Sequence, residues 1–283
     1  MQTVIRKIKL YIPLIKSLQT SLLLLTGVAG YLSAHTDIIW VDFLQMVPTL
    51  FLAVAGSTIL NMWWDRDIDA KMKRTHKRPT SAGQVTREEA FNLGMAISIV
   101  GISWALFVNW FYGVIIFAGL FFDVVVYSIW LKRRTCWSIV WGGVSGAMPV
   151  LSGRALAVGQ IDAIGILLAC AVLFWIPMHT LTFSLKFFDD YQAAGVPTFP
   201  STYGEAATRF AIALSSVIAA LAMGLAAVWI GVTAGVLRVM IVLSAGLFFL
   251  AVTTIFRPSE RINFSLFKYA SMYMMFAMML IIP

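Results

Sequence analysis

Nine stretches of mostly apolar residues follow one another along this chain, with polar breaks between them. They run roughly 14–34, 43–64, 90–109, 112–131, 138–158, 162–185, 207–231, 234–255 and 263–281, and a helix that crosses a membrane takes roughly 20 such residues. Of the 283 residues 60% are hydrophobic and only 12% are charged, against about 25% charged in a soluble domain. That leaves too little polar surface to cover a water-soluble globule, and far too much apolar content for a disordered chain. In hydrocarbon only helices and closed barrels satisfy their own backbone groups. Continuous runs such as Leu22–Leu25 and Val124–Val126 lack the alternation of a barrel strand. The expected fold is all-α: a polytopic membrane protein, nine transmembrane helices in a single bundle, with residues 1–283 as one domain.

The net charge of +8 is explained by the sidedness of the loops, so nucleic acid is not expected as a partner. Nineteen of the 21 lysines and arginines fall in the N-terminal segment and in alternate connections. These are Arg6, Lys7, Lys9 and Lys16, then Arg66, Lys71, Lys73, Arg74, Lys77, Arg78 and Arg87. Lys132, Arg133 and Arg134, then Lys186, Arg209, Arg257, Arg261 and Lys268, complete the set. Only Arg154 and Arg238 lie toward the other side. The positive-inside rule then places the N-terminus in the cytoplasm and the C-terminus outside. No cleavable leader pattern is expected, and Cys136 and Cys170 are expected to stay unpaired. The two long connections, 65–89 and 186–206, both fall on the cytoplasmic side, and long loops between compact helices tend to be functional.

The second stretch ends in Asn61-Met62-Trp63-Trp64-Asp65-Arg66-Asp67-Ile68-Asp69. Asn61, Asp65 and Asp69 are four apart, which on a helix puts them in one row; Asp67 points elsewhere. Ionised acids in such a row repel, and a divalent cation relieves that. Mg²⁺ suits carboxylates and completes its shell with water and substrate phosphates. Lys71, Lys73, Arg74, Lys77 and Arg78 follow at once and can hold phosphates. The plain alternative is a solvated helix end neutralised by nearby bases. The asparagine one step back inside a span favours function, since polar groups there are costly.

The sixth stretch leads to a second acidic pair, Asp189-Asp190, followed by Tyr191. Alone it reads as an ordinary helix end; facing the first cluster, it would bind a diphosphate between metal ions. His179 lies about three helical turns before Asp190, beside Pro177, which is expected to bend the helix. It is either a satisfied core histidine or a ligand-positioning one. Asp123 and Tyr127 are four apart in the fourth stretch, with Lys132 at its edge. Tyr127 and Lys132 are expected near the same diphosphate, while Asp123 reads equally as a buried acid with a basic partner. Trp63, Trp64, Trp130, Trp137 and Trp141 read as interface anchors.

Asn61 through Thr75, with Arg78-Pro79, resembles the first signature of the UbiA-type intramembrane prenyltransferases. Its Asp65-Arg66-Asp67-Ile68-Asp69-Ala70-Lys71-Met72-Lys73-Arg74-Thr75 wording is most similar to the haem O synthase branch of that family. Three further stretches agree: Tyr127 to Thr135, Gly142-Gly143 through Pro149, and Asp189 through Pro197 with Pro200. Two departures are Ile176-Pro177-Met178-His179-Thr180-Leu181, where the family has Pro-Pro-His-Phe-Trp, and Lys16-Ser17-Leu18 in place of Lys-Pro-Arg.

The resemblance implies a UbiA-like bundle that transfers a farnesyl group from farnesyl diphosphate to a vinyl group of protohaem IX (haem B), making haem O. It implies Mg²⁺ held by Asn61, Asp65, Asp69, Asp189 and Asp190. Arg74, Arg78, Tyr127 and Lys132 would bind the diphosphate, and His179 would lie against the acceptor. A multi-pass plasma-membrane location follows, with a cytoplasmic active site and haem A synthase or a terminal oxidase as assembly partners. The rival readings are a relative with another acceptor (a quinone precursor, a chlorophyll-type ring or a glycerol phospholipid precursor) and, further off, an ion transporter. A transporter would spread its acids to midplane and show repeated halves; here they gather at one interface.

Overall fold

The computed structural model describes residues 10–34 and 38–282. Among them every regular element is helical. A 3-10 turn (Ile12–Ile15) precedes α1 (Ser17–Leu32), α2 (Trp40–Trp64) and the short α3 (Arg66–Lys71). Next come α4 (Arg87–Val108) and α5 (Trp110–Leu120), which runs on as a π-helical stretch, Phe121–Leu131. The chain continues through α6 (Ser138–Val158), α7 (Ala163–Lys186) and the short α8 (Phe188–Ala193). It ends with α9 (Phe199–Ile230), α10 (Ala234–Phe256) and α11 (Glu260–Leu280).

These helices fall on the stretches read from the sequence. Among the described residues six are long and apolar enough to cross a membrane: α2, α4, α5 with its π continuation, α7, α9 and α10. The chain is thus a multi-pass membrane protein. α1 is a shorter apolar helix, and α6 and α11 match expected stretches but lie outside those six. Arg6, Lys7 and Lys9 of the orientation argument lie outside the described residues. Cys136 and Cys170 are both free.

Local chemistry sets the helix boundaries. Thr86 and Glu89 form a reciprocal capping box at α4. Asn109, Asp162, Thr233 and Ser259 each accept a backbone N–H at the start of α5, α7, α10 and α11. Asp162 also grips Arg154 of α6 through its Nε and Nη2, while Nη1 donates to the Ser33 carbonyl and hydroxyl. One of the two cations expected on the outer side is therefore buried and satisfied, tying α1, α6 and α7 together.

Small residues let the backbones close on each other, as in other membrane bundles. A Cβ added to Gly30 of α1 would sit 2.1 Å from the Val150 carbonyl oxygen of α6. One added to Gly153 would sit 2.0 Å from the Gly27 carbonyl oxygen. Both obstacles are backbone and cannot rotate away. Overpacking of this kind costs roughly 1–3 kcal/mol, while replacing a helical glycine with alanine gains at most about 1 kcal/mol, so the clash decides the sign. Gly153→Ala is therefore expected to lower the midpoint of thermal unfolding in detergent. Gly224→Ala in α9, where an added Cβ meets nothing within 4 Å, is expected to leave it level or raise it. Equal midpoints for the two variants would contradict the packing described.

Candidate active site

The row of polar residues begins at the end of α2 and continues into α3. Asp65 is the joint between the two helices. The four-residue ladder persists across it: the Asp65 N–H donates to the Asn61 carbonyl at 2.9 Å, and the Asp69 N–H to the Asp65 carbonyl at 2.8 Å. Asn61, Asp65 and Asp69 therefore stay on one side, and they are only 9%, 5% and 4% exposed. Asp67 turns away, as its register requires. It is an exposed residue that takes two hydrogen bonds from Arg133, at 2.6 and 2.7 Å, which hold its carboxyl below the ordinary range.

Each buried acid is met by a cation from a different part of the chain. Lys132, just past the π-helical stretch, pairs with Asp65. That pair holds the Lys132 ammonium above its usual range, against the burial that acts to lower it. Arg78 folds back from the loop after α3 to reach Asp69 at 2.6 Å. The second oxygen of Asp65, Oδ1, is buried and has no hydrogen-bond partner. An unpaired carboxylate oxygen in such a place is costly unless a cation meets it.

The π-helical stretch brings Asp123 and Ser128 to the same asparagine. Asn61 donates through Nδ2 to Asp123 at 2.7 Å and accepts at Oδ1 from the Ser128 hydroxyl at 2.7 Å. These partners are five residues apart, the repeat of an i→i+5 ladder; in an α-helix they would diverge. Ser57 also donates to Asp123. Asp123 is thus satisfied by a hydroxyl and an amide, where the sequence had left open a basic partner. Tyr127 lies in the same stretch, its ring 5.5 Å from the Lys132 ammonium.

The second acidic signature meets the first through the basic loop. Asp190, 8% exposed, accepts the backbone N–H groups of Lys73 and Arg74 at 3.2 and 3.4 Å. Arg74 donates to the Tyr191 hydroxyl at 3.1 Å, with its guanidinium over the rings of Phe183, Phe187 and Tyr191. The neighbouring Asp189 is exposed. His179 lies higher on α7, between the rings of Trp175 and Phe267, with Nδ1 3.3 Å from the Ser271 hydroxyl.

The sequence passed over one cation. Lys16 stands alone before α1 with a left-handed backbone, φ 49°, a conformation that costs a non-glycine residue of order 1–3 kcal/mol. Burial, then Arg78 and Lys132, push its ammonium down to about 8, while Asp123 and Asp65 oppose that. The Thr58 hydroxyl of α2 donates to the Leu14 and Ile15 carbonyls just ahead of Lys16, which seats this segment beside α2 about one turn before Asn61. The sequence marked Lys16 only within a departure, Lys16-Ser17-Leu18, and gave it no place in the site. Ser57 and Ser128, as isolated serines in apolar runs, carried no sequence signal either.

The fit to a magnesium ion follows from these contacts. Among the described residues no three His, Cys, Asp or Glu side chains converge to hold a metal by themselves. The chain's own cations and amides take up the acids instead. Mg²⁺ usually needs only one or two carboxylates, with substrate phosphates supplying the rest. The free Asp65 Oδ1 beside Asn61 and Asp69 fits that requirement.

The helical bundle holds a buried acid-and-amide row beside clustered cations, the arrangement of an intramembrane enzyme. Residues 22–277 match the UbiA prenyltransferase family, and the chain belongs to that family. A protoheme IX farnesyltransferase of Archaeoglobus fulgidus is 38% identical over 268 residues, covering 94% of either chain. One from Korarchaeum cryptofilum is 39% identical over 77% of this chain and 74% of its own length. Among solved structures, a digeranylgeranylglyceryl phosphate synthase superposes with a TM-score of 0.81 at 18% identity, over 98% of both chains. A UbiA homolog from Archaeoglobus fulgidus, bound to GPP and Mg²⁺, superposes with a TM-score of 0.71 at 14% identity, over 96% of this chain and 99% of that one.

The Asp190 clamp is testable by itself. Hydrogen bonds to a charged acceptor are worth about 1.5–3 kcal/mol each. Asp190→Asn is expected to loosen the loop from Met72 to Arg78 and speed tryptic cleavage after Lys73 and Arg74 by roughly tenfold. An unchanged cleavage rate would show that the loop is held by something else.

Proposed function

We propose that this chain is a protohaem IX farnesyltransferase, transferring the farnesyl group of farnesyl diphosphate to a vinyl group of haem B to give haem O. The observation that carries the reading is the buried row Asn61, Asp65 and Asp69, with Lys132 and Arg78 from two other segments paired to its acids. Relatives at 38–39% identity over most of the chain share that activity by name. Bound Mg²⁺ would neutralise charge on the leaving diphosphate, held by Asn61, Asp65 and Asp69 with Asp189 and Asp190 from the second signature. The exposed Asp189 is the freer of that last pair, because Asp190 also clamps the loop.

The residues of this chain do the remaining work. Asp65 and Asp69 would hold the metal, and Lys132 and Arg78, now paired with them, would then be free to bind the diphosphate oxygens. Arg74, Tyr127 and Lys16 close on the same group. Positive charge already in place where the leaving group gains negative charge favours breaking the allylic C–O bond. The aromatic residues of α7 and α11 shield the allylic cation from early hydrolysis and favour it by cation–π attraction. The haem vinyl group attacks that cation, and water captures the resulting carbocation with loss of a proton, leaving a hydroxyethylfarnesyl group and diphosphate. His179, with its ring between Trp175 and Phe267, lies against the acceptor.

The same reading extends to topology and place. The chain forms one prenyltransferase domain with nine crossings in the plasma membrane, N-terminus in the cytoplasm, C-terminus outside and active site on the cytoplasmic face. Haem A synthase or a terminal oxidase is the natural recipient of the product.

Membranes containing the protein are expected to convert haem B and farnesyl diphosphate to haem O, identified by mass, in a Mg²⁺-dependent manner. Asp65→Ala is expected to abolish transfer while the protein still inserts. Prenylation of a quinone precursor, a chlorophyll-type ring or a glycerol phospholipid precursor in place of haem would overturn the acceptor assignment. Full activity of Asp65→Ala would overturn the metal assignment.

A further inference from the structure

Trp175, His179 and Phe183 recur every four residues on α7, and Phe187, whose N–H still donates to the Phe183 carbonyl, follows at the same step just past its end, so the four form one stripe. Phe267 of α11 packs against it, 4.4 Å from the His179 ring and 5.7 Å from that of Phe183. Every ring in this strip is only half-buried. At its loop end stands Phe264, its ring nearly parallel to that of Phe267 at 5.9 Å. Two ammonium groups share that one ring: Lys186 Nζ at 3.4 Å and Lys268 Nζ at 4.6 Å from its centroid.

Two like charges on one ring repel each other, and each would ordinarily find a carboxylate. Among the described residues no acid pairs with either lysine. Both side chains are exposed and free to receive an anion. The neighbouring Phe187 lies 5.5 Å from Lys186 Nζ and 5.6 Å from the Arg74 guanidinium, so the pair flanks the site described above without belonging to its diphosphate cluster. We propose that Lys186 and Lys268 form a recognition site for the two carboxylates of the acceptor, with its flat apolar ring lying along the aromatic strip.

This rests on the proposed function for the identity of the acceptor, haem B, whose two propionates sit on the edge opposite its vinyl groups. Grip on the propionates leaves the vinyl edge uncovered. It also explains the position of the lysines at the polar end of a strip that is otherwise apolar. A quinone precursor or a lipid alcohol offers no such pair of carboxylates, so the site also bears on acceptor choice.

The test compares wild type with the double variant Lys186→Gln/Lys268→Gln, in nanodiscs of neutral lipid, using haem B and its propionate dimethyl ester. Loss of two exposed charge-assisted contacts is expected to raise KM for haem B about tenfold, with kcat and KM for farnesyl diphosphate unchanged. Wild type acting on the diester is expected to match the double variant acting on haem B, and Lys→Arg at both positions to restore the low KM. An unchanged KM in the double variant, or an equal penalty from esterification in wild type and variant, would overturn the proposal. So would an effect seen only when anionic lipid is added, which would make the lysines headgroup contacts. Haem binding followed by its Soret band separates this from the function itself. Lysine-dependent binding without farnesyl transfer would sink the proposed reaction and leave this site standing.

Discussion

The structure turns on one arrangement: carboxylates buried at the mouth of a membrane bundle, each met by a cation or by backbone N–H groups from elsewhere in the chain. Asp65 takes Lys132 and Asp69 takes Arg78. Asp190 takes two backbone N–H groups of the intervening loop. Such pairs are weak sources of stability, because desolvation offsets most of the attraction, yet losing one partner costs roughly 3–5 kcal/mol. An arrangement that contributes little when whole and costs much when broken is poor scaffolding. It makes sense as a charged site kept closed until a ligand of opposite charge exchanges partners with it.

That arrangement constrains the fold around it. The row on α2 and α3 takes Lys132 from beyond the π-helical stretch and Arg78 from the loop. The helices must therefore converge at one end. Toward the other end, beside Arg154, the glycine contacts between α1 and α6 bring backbones together where larger side chains would hold them apart. Likeness to solved structures at only 14–18% identity shows that this bundle tolerates wide sequence change.

Much of this was legible in the residues. The Asn61, Asp65 and Asp69 spacing reads as one face because helical register is local, and it survives the joint at Asp65. Asp67 could be set aside on the same ground. The helices themselves follow from runs of apolar residues too long for anything else. What was not legible depends on departures from regular helix. Ser128 reaches Asn61 only because the ladder there is π-type, and the left-handed backbone at Lys16 is one that no propensity favours. Asp123 showed itself as a buried acid, but its partners, Ser57 and Asn61, lie more than sixty residues away in sequence, beyond any local pattern. Arg74 and Asp190 were both marked, and their packing against α7 and the loop emerged only with the tertiary structure.

The central claim is that Asp65 exchanges its lysine for a metal-bound diphosphate. The most direct measurement is calorimetric titration of a non-reacting thiolo analogue of farnesyl diphosphate into wild type and Asp65→Asn, with and without Mg²⁺. In wild type, Mg²⁺ is expected to tighten binding by about ten- to a hundredfold, the range that loss of ligand-shell partners typically costs; in Asp65→Asn that gain is expected to vanish. The same magnesium-dependent gain in both proteins would contradict the account.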